Sequence, residues 1–117
     1  MRILFVEDDR DTRETAAELM RSMGHDVHDV GNAEEALRLL RGTIPFDALV
    51  ADIGLPRMQG DVLAAEARSL RPRIRIVFTT GRNELHAAAL DPGPIFLLKP
   101  YTVEELKEAL GSEADRA

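Results

Sequence analysis

ALVADIGLPRMQG, residues 48–60, starts as an apolar run suited to a protein interior, stops on the carboxylate of Asp52, and turns through Gly54, Pro56 and Gly60. A short apolar run bounded by turn formers reads as a buried strand, Ala48 to Ala51, with Asp52 just past its end. Four more runs have the same character: Ile3 to Val6, Val27 to Val30, Ile74 to Phe78 and Ile95 to Leu98. Helical spacing fills the intervals between most of them. Thr12, Ala16, Leu19, Met20 and Met23 recur on one face, as do Ala33, Ala36, Leu37 and Leu40, then Leu63, Ala67 and Leu70, and finally Val103, Leu106 and Leu110.

Local signals set the expected limits of these helices. Gly24 is a stop for the first, Asn32 with Glu35 a capped start for the second, and Pro72 a limit for the third. Thr102 and Glu105 have capping-box spacing at the start of the last. ELHAAAL, 84–90, reads as a further helix of hardly two turns before Pro92, Gly93 and Pro94, and residues 111–117 as a polar tail. Alternating strands and helices predict an α/β fold, a parallel sheet of five strands covered on both faces and joined by right-handed crossovers.

The bulk properties agree with one globular unit over 1–117. The 117 residues are 44% hydrophobic and 31% charged, which suits a folded domain and not a disordered tail or a fibre. A formal charge of -6 and a pI near 5.0 argue against a nucleic-acid surface and suit a cation-binding protein. Without cysteine there is neither a disulfide framework nor thiolate ligation of zinc. The first residues turn acidic too early for a signal peptide, and no run approaches the roughly 18 apolar residues of a membrane span, so a cytoplasmic location is expected. His25, His28 and His86 have no metal-ligand spacing.

In an open parallel sheet the ligand crevice lies beyond the carboxyl ends of the strands. The residues expected there are Glu7, Asp8 and Asp9 after the first strand, Asp52 after the third, Thr79 and Thr80 after the fourth, and Lys99 and Pro100 after the fifth. Carboxylates gathered in one cleft repel, and a hard divalent ion bound through oxygen relieves them. Mg²⁺ takes one or two carboxylates, keeps waters and completes its shell with phosphate oxygens. Asp52 is then positioned as a nucleophile toward phosphorus, with Lys99 countering the charge on the transferring oxygens and Thr80 donating a hydroxyl hydrogen bond. Asp9 has the simpler reading of a helix start.

At these positions the chain resembles the receiver domain of two-component response regulators. The matching pieces are FVEDD, ADIGLPRMQG, FTTG and LLKPY, in that order over nearly the whole length. The resemblance implies the flavodoxin-like strand order 2-1-3-4-5. It also implies Asp52 as phosphoacceptor, Glu7 and Asp8 as the acidic metal pair and the Gly54 carbonyl as a third protein ligand of Mg²⁺. Thr80, followed by the small Gly81, corresponds to the switch hydroxyl, and Phe96 to an aromatic that moves on activation. Lys99 corresponds to the family's lysine, with a cis Lys99–Pro100 bond. Partners implied are a histidine kinase or a histidine phosphotransfer protein docking on the first helix, and an unknown downstream protein. No membrane or nucleic acid is called for, and homodimerisation is left open.

Two features depart from the common pattern. The stretch from Thr80 to Lys99 is short, and LDPGPIFLLKPY resembles the variant found in receivers attached to, or partnered with, hybrid histidine kinases. Nothing after Leu110 suits an output domain, so the expectation is a receiver alone or one cut from a longer protein. It would assist its own phosphorylation and dephosphorylation without turning over external substrates. Among rivals, an aspartate-nucleophile phosphatase needs a second carboxylate where Gly54 stands. A flavin protein needs a phosphate cradle where EDDRD stands. A protein-binding module that keeps the receiver shape without using phosphate is the remaining alternative.

Overall fold

The computed structural model describes residues 1–53, 60–80 and 95–111. Its strands are β1 (Arg2–Val6), β2 (Asp26–Val30), β3 (Ala48–Asp52), β4 (Arg75–Thr80) and β5 (Ile95–Leu98). The helices among the described residues are α1 (Arg10–Ser22), α2 (Ala33–Leu40), α3 (Gly60–Leu70) and α4 (Val103–Leu110). The expected element at 84–90, the turn residues Gly54, Pro56 and Gly81, and the tail from residue 112 lie outside the described residues.

All strand pairs are parallel, in the order β2-β1-β3-β4-β5. Side-chain alternation sends each strand's apolar residues to both faces, because the sheet is covered on both. Leu4, Val6, Leu49, Ala51, Ile76 and Phe78 pack with Leu37, Leu40 and Leu63 of α2 and α3. Ile3, Phe5, Val50, Val77 and Leu97 pack on the other face with Met20, Leu106 and Leu110 of α1 and α4. Strands buried on both sides read as continuous apolar runs, which is why they were legible in the sequence.

Two strands run further at their carboxyl ends than their apolar residues predict. β4 begins at Arg75, one residue after the expected Ile74, and includes Thr79 and Thr80 instead of stopping at Phe78. β3 likewise includes Asp52, whose partner in register is Thr79. Ladder hydrogen bonds use backbone groups, so polar side chains do not end the pairing when both neighbours continue. Asp52, Thr79 and Thr80 are consequently held on strand backbone.

The helix ends are fixed by local chemistry. Asp9 Oδ2 accepts hydrogen bonds from the N–H of Thr12 at 2.9 Å and from its hydroxyl at 2.6 Å, capping α1. Those bonds hold the Asp9 carboxyl below its ordinary range. Met23 is the C-cap of α1 and packs, partly buried, against the core as its spacing predicts, and Gly24 follows at φ +95°, where a Cβ would be strained. Asn32 Oδ1 accepts from Glu35 N–H at 2.9 Å at the start of α2. Thr102 and Glu105 complete a reciprocal capping box at the start of α4, each side chain accepting from the other's backbone N–H at 3.0 Å. The Arg75 guanidinium donates to the Ala109 carbonyl at 3.2 Å, tying the end of α4 to the start of β4.

These interactions differ in weight. Leu49→Ala, which removes a fully buried side chain from the central strand, is expected to cost about 2–5 kcal/mol. Thr102→Ala removes one exposed cap and is expected to cost about 1 kcal/mol. Urea unfolding of both variants should reproduce that order.

Candidate functional site

Four strands deliver residues at or just past their carboxyl ends to one edge of the sheet. On the face shared by α1 and α4, the alternation continues past Phe5 to Glu7, past Val50 to Asp52, past Val77 to Thr79 and past Leu97 to Lys99. Only Lys99 among these carries positive charge, and its side chain reaches across the sheet. Lys99 Nζ donates to Asp52 Oδ2 at 3.1 Å and to Glu7 Oε1 at 3.0 Å.

Glu7 is only 2% exposed. Its second carboxylate oxygen accepts from the Asp9 N–H at 3.1 Å. Burial raises the pKa of its carboxyl above the usual value, although Lys99 and the Asp9 N–H pull in the opposite direction. For Lys99, burial acts to lower the pKa, but the hydrogen bonds and charges of Glu7 and Asp52 outweigh it and the ammonium is held above its ordinary value. The pair therefore shares one tension: a carboxylate that burial disfavours and a cation that the carboxylates retain.

Asp8 is exposed, and carboxylate oxygens of Glu7, Asp8 and Asp52 all lie within 4.8 Å of one another. Among the described residues, three carboxylates face one ammonium. An all-oxygen donor set with excess negative charge fits a hard divalent cation such as Mg²⁺, with waters filling the remaining positions. Gly54, the expected carbonyl ligand, lies outside the described residues.

Thr80 is buried and stands at the same strand edge, where its carbonyl accepts from the Lys99 N–H at 2.7 Å. By alternation its side chain follows Ile76 and Phe78 to the opposite face from Asp52. Phe96 is half-buried on that face, its ring centroid 5.6 Å from that of Phe78. The Lys99–Pro100 bond is cis. Tyr101 follows, partly buried against the α1/α4 core, and burial raises the pKa of its phenol.

Arg13 lies on α1, the helix that the family resemblance assigns to docking. In the structure it is a brace: its Nη1 donates to the Glu7 carbonyl at 2.9 Å, and its Nε lies 3.5 Å from Asp29 Oδ2. The loop that carries Glu7 and Asp8 is thus tied to α1 and to β2. Thr79, named in the sequence only as one of two threonines after the fourth strand, is the strand partner of Asp52. The signal for it was parity, since Thr79 follows Val77 by two residues, but parity is useful only once the register is known. Beside the site, α1 and the segment after β5 enclose a groove of about 490 Å³ lined by Thr15, Leu19, Pro100 and Tyr101 among others.

Residues 3–111 match the family model described as the response regulator receiver domain. The chain is 36% identical over 109 residues to the response regulator MprA of Mycobacterium avium, covering 91% of this chain and 47% of that protein. It therefore spans about half the length of the curated relatives it matches. Among solved structures, the receiver domain from the hybrid histidine kinase CckA is 33% identical with a TM-score of 0.76, over 95% of this chain and 100% of that one. A response regulator receiver domain protein from Clostridium thermocellum superposes with a TM-score of 0.87 at 24% identity, over 98% and 94% of the two chains, which bears on the fold alone.

The charge arrangement yields a pH test. A carboxyl with a raised folded-state pKa favours folding while it is protonated, and that contribution is lost as pH rises above the unfolded value, 4.5 for Glu7. Lys99→Met removes the cation that opposes this loss. Without added divalent ion, the variant should match wild type most closely at about pH 4 and fall behind by roughly 1–3 kcal/mol at about pH 8. Urea unfolding across that range checks it, and parallel pH profiles would contradict it.

Proposed function

Because this chain belongs to the response regulator receiver domain family, we propose that it accepts a phosphoryl group on Asp52 from a phosphohistidine in a Mg²⁺-dependent step. The observation that carries this reading is the Asp52 carboxylate on the last residue of β3, 3.1 Å from Lys99 Nζ and beside the oxygens of Glu7 and Asp8. Glu7, Asp8, Asp52 and the Gly54 carbonyl are the residues that would hold Mg²⁺. When bound, the ion supplies positive charge to the phosphoryl oxygens and lowers the repulsion among the carboxylates.

An Asp52 carboxylate oxygen attacks phosphorus. The bond from phosphorus to the histidine nitrogen breaks, and its electron pair returns to the imidazole. Lys99 exchanges part of its interaction with Asp52 for the new phosphoryl oxygens. Thr80 turns its hydroxyl toward the same group, and Phe96, packed on Phe78 of the same strand as Thr80, shifts with it. The chain supplies the nucleophile and the charges, so it assists its own phosphorylation and dephosphorylation without turning over external substrates. A histidine kinase or histidine phosphotransfer protein is the donor, and the output is a changed contact with a downstream protein in the cytoplasm.

Acetyl phosphate with Mg²⁺ should add one phosphoryl group to the wild-type chain, read by intact mass. Asp52→Ala and chelation of the ion should each abolish that gain; undiminished labelling of Asp52→Ala would refute the acceptor.

The donor's docking surface is assigned to α1 and the groove bounded by Thr15 and Tyr101. Arg13 is unsuited to test this because it braces Glu7. Glu14, exposed and paired with Arg10 at 3.1 Å, and the exposed Thr15 are clean positions. Glu14→Lys with Thr15→Arg should slow transfer from a phosphohistidine protein roughly tenfold while leaving labelling by acetyl phosphate unchanged. Equal slowing of both reactions would place the defect in the site and not in docking.

A further inference from the structure

We propose that the Thr79 hydroxyl shortens the life of the phosphoryl group by donating to the Asp52 carboxylate as it departs, an inference that rests on Asp52 being the acceptor. Thr79 is 1% exposed, and its Oγ1 has no hydrogen-bond partner among the described residues. A buried hydroxyl without a partner costs stability, so its presence in a strand that would accept valine asks for a reason. Its location supplies one. Thr79 is paired in register with Asp52, neighbouring strands are about 4.8 Å apart, and the two side chains stand on the same face.

Lys99 adds a second constraint. In the strand order β1-β3-β4-β5, a side chain starting from the end of β5 must cross β4 to reach Asp52 and Glu7. Thr79 is the β4 residue on that path and on that face. In the resting site the ammonium serves Asp52 Oδ2, and the Thr79 hydroxyl has no role there. With phosphorus on Asp52, the ammonium faces the phosphoryl oxygens, and the carboxylate that re-forms needs another donor.

The chemical step balances without any further reactant. Water attacks phosphorus, the bond from phosphorus to the Asp52 oxygen breaks, and its electron pair stays on that oxygen as carboxylate. Inorganic phosphate leaves, and the proton lost by water passes to phosphate or solvent. Thr79 donates a hydrogen bond to the Asp52 oxygen where charge accumulates and keeps its own proton.

The test uses the whole chain labelled with acetyl phosphate and Mg²⁺, freed of donor, and followed by intact mass as the label decays. Thr79→Val should retain the label roughly fivefold to tenfold longer than wild type, with a thermal midpoint equal to or above it. Thr79→Ser should decay as wild type does, and Thr79→Ala, a second variant without the hydroxyl, should be as slow as Thr79→Val. Equal decay in all four proteins, or faster decay in the valine and alanine variants, overturns the proposal and leaves Asp52 as acceptor intact. Slower decay with a lowered midpoint and no rescue by serine marks a packing effect and also overturns it. A wild-type chain that takes no label, or an Asp52→Ala chain that does, removes the acceptor reading and this inference with it.

Discussion

One ammonium group, Lys99 Nζ, stands between two carboxylates, one just past β1 and one at the end of β3, at 3.0 Å from Glu7 and 3.1 Å from Asp52. Burial disfavours charge on Glu7, and Asp52 and Asp8 lie close enough to add repulsion. The lysine makes the arrangement tolerable, and among the described residues three carboxylates stand around that one ammonium. An all-oxygen set of this charge is of the kind that suits a hard cation.

The interaction depends on the sheet beneath it. A shift of one residue in β3 or β4 would turn Asp52 or Thr79 to the opposite face and break the row that Glu7, Thr79 and Lys99 complete. Register is protected because both faces of every central strand carry apolar residues that fill two separate cores. A slip would exchange those sets between cores of different shape. The loop after β1 has its own supports: the Asp9 cap on α1, the Asp9 N–H on Glu7, and the Arg13 guanidinium on the Glu7 carbonyl.

The sheet edge also divides its hydroxyl groups. Thr79 shares a face with Asp52, whereas Thr80 shares one with Phe78 and Phe96. Two adjacent residues of one strand thus present their hydroxyls to different surroundings, the first on the face of Asp52 and the second on the face of the buried Phe78 and the half-buried Phe96. Strand alternation alone is enough to produce this division. No helix among the described residues is long and apolar enough to cross a membrane.

The sequence by itself determined the element order, the caps at Asn32 and Thr102, and the set of polar residues that follow apolar runs. These are local properties: doubly buried strands are continuous apolar runs, and a cap is a matter of a few consecutive residues. The family motifs in FVEDD, ADIGLPRMQG, FTTG and LLKPY were equally local. Only the tertiary structure decided which of those polar residues meet. That β4 continues through Thr79 and Thr80, that Thr79 is the neighbour of Asp52, and that Arg13 braces the Glu7 loop instead of serving α1's outer surface all follow from register and from contacts between distant segments. Periodicity along a chain carries no information about the phase of one strand relative to another; that phase is set by how two cores fill at once, and the site inherits it.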